Sequence, residues 1–135
     1  MNSEETNNGW LGERWNIDLD WYQANGCSFL TLAQDYLCLR CRKRLKKETK
    51  PEDIIKSVST CCSKKGDFIR ADMPVMSGVF RYFLANGNKP VELETLSKEL
   101  SERRGTIAGT SPEILHRLLI HDRYYGLRVL TDGRR

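Results

Sequence analysis

The sequence predicts a mainly α-helical protein with a small β element near its C-terminal end. A helical hairpin tied by cysteines comes first, and a three-helix bundle follows. Three observations predict this. Apolar residues recur at helical spacing through 29–45 and again through 54–58. Two cysteine pairs, Cys38/Cys41 and Cys61/Cys62, fall late in those two stretches. After Pro74, three more helix signals precede an alternating segment over 123–130. The chain then divides into an acidic, tryptophan-rich segment (1–26), a cysteine-containing helical module (27–72) and the bundle (73–135). Its 135 residues suit one compact domain or two very small ones.

Residues 1–9 read as a polar tail. All three tryptophans, Trp10, Trp15 and Trp21, follow within twelve residues. Their large apolar area predicts packing onto the body or onto a protein partner. Stacking on nucleic-acid bases is disfavoured, because Glu13, Asp18 and Asp20 would repel phosphate. Ser28 is placed to cap a helix whose stripe includes Phe29, Leu32, Ala33, Tyr36 and Leu39. Pro51 at a first helical position, followed by Glu52 and Asp53, starts a second helix. That helix turns Ile54, Ile55 and Val58 inward and delivers Cys61 and Cys62 at its end.

Cys38 and Cys41 have the C-x2-C spacing that brings two thiolates to one ion from one turn of backbone, and the second pair follows after nineteen intervening residues. That pair is adjacent, so both its sulfurs reach one ion only if the backbone bends there. Cys27 is the remaining sulfur. The ligand set is thus Cys27, Cys38 and Cys41 with one or both of Cys61 and Cys62. A set of thiolates suits zinc or an iron–sulfur cluster, and sequence does not separate them. Buried reduced thiols and disulfides are the plainer alternatives. His116 and His121, five residues apart, read as helix-surface side chains.

Charge is unevenly placed. The net is +4, but residues 1–35 carry six acids and one base, and residues 36–50 carry seven bases and one acid. A basic surface of this kind fits an anionic partner, with nucleic acid leading. Arg42, Lys43, Arg44, Lys46 and Lys47 would meet phosphates. A solvated helix end is the plainer account of the same run, and the acidic head could also cover it. No apolar run approaches the roughly 18 residues of a membrane span. The start of the chain lacks the basic and apolar regions of a secretion signal, so the cytosol, with reduced thiols, is the expected compartment.

Val75, Val79, Tyr82, Phe83 and Leu84 mark the first helix of the bundle, closed by Asn86-Gly87-Asn88. A short extended piece, Lys89-Pro90-Val91, leads to LETLSKELSERR with Leu93, Leu96 and Leu100. Gly105 to Gly109 turn the chain. Thr110 or Ser111 then caps a third helix that runs through Ile114, Leu115, Leu118, Leu119 and Ile120 into LLIHDRYYGLRVL. This order of elements over 74–130 resembles the winged helix-turn-helix of the HARE type and of the N-terminal domain of the bacterial RNA polymerase delta subunit. The resemblance implies a winged-helix-like domain with a small β-wing, acting in transcription on DNA or RNA polymerase, with Arg117 and Arg123 near bases or phosphates. Two departures stand out. Thr131–Arg135 would have to serve as a truncated wing without a full returning strand, and the third helix is only mildly basic.

No enzyme is expected. The phosphate-binding glycine loop, the nucleophile elbow and the paired-histidine metal motif are all missing. The absent βαβ pattern counts against Cys38 and Cys41 serving as a thioredoxin-like dithiol. The sequence therefore leads to a zinc- or iron–sulfur-containing regulatory protein of transcription. The alternative is a protein-interaction adaptor with a structural zinc and no nucleic-acid binding, whose tryptophan segment and third helix are the packing surfaces.

Overall fold

The computed structural model describes residues 9–66, 68–104 and 110–130. The turn expected at Gly105–Gly109 and the truncated wing at Thr131–Arg135 lie outside the described residues. The chain is mainly helical with one small antiparallel sheet. In order come a 3₁₀ turn (Gly9–Gly12), β1 (Arg14–Ile17), α1 (Leu19–Ala24) and α2 (Phe29–Ala33). A 3₁₀ turn (Gln34–Tyr36), α3 (Leu39–Arg42), α4 (Pro51–Thr60) and a 3₁₀ turn (Cys62–Lys64) complete the front half. Then follow α5 (Val75–Ala85), β2 (Val91–Glu92), α6 (Leu93–Arg104), α7 (Pro112–Ile120) and β3 (Leu127–Leu130).

The helix starts obey their local chemistry. The Asp18 carboxylate accepts the Asp20 N–H, the Ser28 hydroxyl accepts the Thr31 N–H, and the Ser111 hydroxyl accepts the Ile114 N–H. Pro51 and Pro112 sit at the first helical positions of α4 and α7. At the end of α5 the Asn88 N–H returns to Phe83 O at 2.7 Å, with Gly87 and Asn88 both at positive φ.

The sheet order is β2-β1-β3, and both pairings are antiparallel. The tryptophan-rich segment therefore supplies the central strand, with Trp15 opposite Val91 on one side and Val129 on the other. The strand expected over 123–130 is confined to Leu127–Leu130. β2 is too short to pair with all of β1, and the Asn88 side chain fills the gap. Its Oδ1 accepts the Ile17 N–H at 2.8 Å, and its Nδ2 donates to Ile17 O at 2.9 Å. Between α7 and β3 the Asp122 carboxylate takes the N–H groups of Tyr124, Tyr125 and Leu127, which orients β3 toward β1.

One buried cluster runs through all these elements. It includes Trp15 and Ile17 of β1, Phe29 and Ala33 of α2, Ile54 and Val58 of α4, Phe80 and Phe83 of α5, Leu96 and Leu100 of α6, and Leu115 and Leu119 of α7. Phe80 ties the halves together, with its ring near those of Phe29, Tyr36 and Tyr125. The tryptophans pack inward as their area requires: Trp15 is buried, and Trp10 stacks on His116 of α7 at 4.6 Å. No helix among the described residues is long and apolar enough to cross a membrane.

Candidate metal centre

The apolar stripe over 29–45 does not form one helix. It breaks at Leu37, which adopts extended backbone (φ −84°, ψ 145°) and turns its side chain into the core. Burying Leu37 takes the chain off the helical path, so Cys38 stands at the N-cap of a new one-turn helix, α3, with Cys41 three residues on. The Cys38 N–H leaves the helical ladder and donates instead to Cys62 Sγ at 3.1 Å.

From the other side, α4 ends at Thr60, and Cys61 leaves the helical region (φ −131°, ψ −67°) before the 3₁₀ turn begins at Cys62. This bend at one residue overcomes the divergence of adjacent side chains. Cys61 and Cys62 both face the first pair. The Sγ atoms of Cys38, Cys41, Cys61 and Cys62 all lie within 4.8 Å of one another, and Cys38 Sγ is 3.9 Å from Cys61 Sγ. The two cysteine pairs converge on one point, and these four cysteines can hold one metal ion. A tetrahedral zinc–thiolate site with bonds of about 2.3 Å has sulfur–sulfur edges of about 3.8 Å, so the set needs only a small contraction to close on a metal.

Cys27, the fifth sulfur offered by the sequence, is not in this group. Its backbone N–H is held by Tyr22 O at 2.7 Å, past the end of α1, and its thiol lies 3.5 Å from Asn25 O. It is exposed and lines a cleft of about 630 Å³ together with Trp21 and Arg123. All five cysteines are free thiols.

The four thiols differ in environment. Cys41 and Cys62 are buried, whereas Cys38 and Cys61 are partly exposed. The backbone N–H of Cys41 beside the Cys38 sulfur, helped by the neighbouring cysteines, lowers the Cys38 pKa to about 6. Burial pushes the Cys41 thiol up to about 12 and raises that of Cys62 as well. Metal binding removes this contrast, because a coordinating thiol is deprotonated outright.

Arg42, Lys43, Arg44, Lys46 and Lys47 are all exposed, on the end of α3 and the turn after it, and Arg42 approaches Asp35 at 3.6 Å. Arg117 is exposed in the middle of α7, and Arg123 is exposed in the turn beyond it. Leu115 and Leu119 of α7 are fully buried, whereas Ile114, Leu118 and Ile120 are exposed together with the charged Glu113 and Arg117.

Sequence reading missed Arg81. It is the one cation in the otherwise apolar VMSGVFRYFLA of α5, and that isolation was the available signal. Its guanidinium lies over the rings of Tyr36 (4.7 Å) and Phe68 (5.2 Å) and donates to Phe68 O at 3.0 Å. With Lys65 and Arg70 it lines a small cavity beside Cys38 and Cys62, so it joins the metal module to the bundle.

Comparison with family models, with curated proteins and with solved structures returns no match for this chain.

Proposed function

We propose that this chain is a non-catalytic, zinc-stapled regulatory protein of transcription that contacts nucleic-acid phosphates through the basic edge of its metal module, on DNA or on RNA polymerase bound to it. The observation that carries this reading is the junction of the four-sulfur centre with the exposed run Arg42–Lys47. The centre pins both ends of the segment 38–62, so the cations stand on a fixed edge rather than on a loose loop. Zinc is favoured over a cluster by the sulfur spacing. In a cluster the four sulfurs bind two or four separate irons and stand wider apart, whereas here all four lie within 4.8 Å. The winged-helix reading of the rear half is supported by the run α5, β2, α6, α7, β3. In the sheet, β1 pairs along the whole of β3 and gives it an antiparallel neighbour.

The test is a salt titration of duplex binding by the zinc-loaded protein. Five phosphate contacts give a slope of about −4 to −5 in log affinity against log salt, and Lys43→Glu with Arg44→Glu reduces it by about two. No binding to any duplex at low salt would remove the nucleic-acid reading. Metal analysis belongs with it: zinc at one per chain, without the absorption near about 400 nm of thiolate-bound iron, is the expected result.

A second reading, the adaptor that binds protein and not nucleic acid, is favoured by the three large apolar side chains that α7 leaves exposed. Nucleic-acid grooves are read by cations and amides, whereas Ile114, Leu118 and Ile120 offer no hydrogen bond. Nuclease-resistant recovery of a stoichiometric protein partner, with no duplex binding, would select it.

A further inference from the structure

We infer that Arg40, Lys64 and Lys65 extend the basic edge across the metal centre, so that nucleic-acid phosphates are held from both cysteine pairs and not from the run Arg42–Lys47 alone. This inference rests on the nucleic-acid reading and deepens it, because it assigns the second half of the contact surface.

The first observation is backbone geometry. Each cysteine pair is followed by a tight turn that folds back onto it. The Arg44 N–H donates to Cys41 O at 3.1 Å, the Lys64 N–H to Cys61 O at 3.1 Å and the Lys65 N–H to Cys62 O at 3.2 Å. A turn closed in this way keeps its first and last Cα atoms within about 7 Å. The four sulfurs lie within 4.8 Å of one another, so both turns are anchored at the same point. Arg40 lies between the two cysteines of the first pair.

The second observation is a shared wall. Lys65 lines a cavity of about 200 Å³ together with Asp35, Cys38 and Cys62. Asp35 in turn approaches Arg42 at 3.6 Å. Lys65 and Arg42 are thus both neighbours of Asp35, although 23 positions separate them.

The third observation is charge. Residues 36–47 and 54–66 contain no Asp or Glu. Arg40, Lys64 and Lys65 are exposed, and their side chains make no hydrogen bond or ion pair among the described residues. Both members of the Asp35–Arg42 pair are open to solvent, and such a pair is weak in water. Arg70, at the same cavity, is held by Asp72 at 2.9 Å and is left out of the surface. Four thiolates exceed the charge of a zinc ion by two. Arg40, Arg42–Arg44, Lys46, Lys47, Lys64 and Lys65 together supply eight cations, so the face stays positive with metal bound. A duplex presents a charge every 1.7 Å or so of its axis, about the density that suits cations grouped on one rigid centre.

The experiment is the salt titration of duplex binding by the full, zinc-loaded chain, extended to Lys64→Gln with Lys65→Gln. Eight contacts give a wild-type slope of about −7, against about −4 to −5 for the run alone. The double variant should be shallower by about two, and Arg40→Gln by about one. Lys64→Arg with Lys65→Arg should keep the wild-type slope. So should Lys89→Gln with Lys98→Gln, which removes the same charge at exposed positions outside the metal module. A full slope in the Lys64/Lys65 Gln variant would overturn the inference. If that variant also bound zinc more weakly, the two lysines would be counter-charges of the thiolates and nothing more. An equal loss of slope in the Lys89/Lys98 variant would overturn it too, because net charge alone would then set the binding. A slope that responds to Lys43→Glu with Arg44→Glu but not to Lys64 and Lys65 would remove this surface and leave the nucleic-acid reading standing. No duplex binding at low salt would remove both.

Discussion

Replacing Cys62 by alanine tests the metal centre most directly. The residue is 1% exposed, its sulfur is one of the four, and it accepts the Cys38 N–H at 3.1 Å. Without metal, the substitution leaves that N–H without its acceptor, a cost of about 1–3 kcal/mol. With metal, it also removes a ligand. Zinc held a thousandfold above its dissociation constant stabilises the native state by about 4.1 kcal/mol. At about 2.1 cal/mol/K per residue, 135 residues carry an unfolding entropy of about 280 cal/mol/K. The zinc-loaded protein should thus melt about 14 °C above the chelated one. Cys62→Ala should abolish most of that difference. Cys27→Ala should keep it, because Cys27 is exposed and outside the sulfur group, and its own effect should stay within about 0.5 kcal/mol. Calorimetry in zinc buffered by a chelator, with metal content measured on the same samples, gives the answer. If the wild-type melting temperature ignores zinc, or if Cys27→Ala removes the shift, the four-sulfur assignment is wrong.

Three further predictions follow from single features. In the metal-free protein Cys38 should be the reactive thiol, with iodoacetamide labelling that rises with a midpoint near pH 6, while Cys41 stays unlabelled to well above neutrality. Mass spectrometry of labelled peptides reads this, and equal labelling of the two would contradict it. The linked stability has opposite signs. The Cys38 contribution is complete above the ordinary thiol pKa of about 8.5 and is lost as pH falls through about 6, whereas that of Cys41 is complete below about 8.5 and is lost as pH rises toward about 12. Gly126→Ala should destabilise by about 2–4 kcal/mol. Gly126 has φ +71°, and an added Cβ would come within 2.8 Å of the Tyr22 ring and 3.0 Å of the Trp21 ring. An unchanged denaturation midpoint would show that these rings yield freely. Asn88→Gly tolerates the φ of 60° but loses the amide that pairs with Ile17, at about 1–3 kcal/mol. Faster hydrogen exchange at the Ile17 amide is the local readout, and unchanged protection there would mean that β1 does not need this side chain.

Sequence by itself determined what depends on near neighbours. The starts of α4 and α7 at Pro51 and Pro112, the Ser28 cap and the inward Ile54, Ile55 and Val58 follow from capping chemistry and periodicity acting within one or two turns. The convergence of two cysteine pairs was legible too, because C-x2-C spacing and a helix that delivers Cys61 and Cys62 are both local facts. What depends on distant residues was decided only in three dimensions. Periodicity over 29–45 could not show the break at Leu37, since that residue leaves the helix to join a core built largely from later segments. The exclusion of Cys27 follows from a backbone bond to Tyr22 of α1, which no spacing rule encodes. The middle place of Arg14–Ile17 in the sheet joins residues more than seventy positions apart, and such pairing leaves no mark within either stretch. The apolar positions of α7 were visible as a set. Which of them the core would take, Leu115 and Leu119, and which it would leave to solvent, Ile114, Leu118 and Ile120, was settled by the elements packed against one side of that helix.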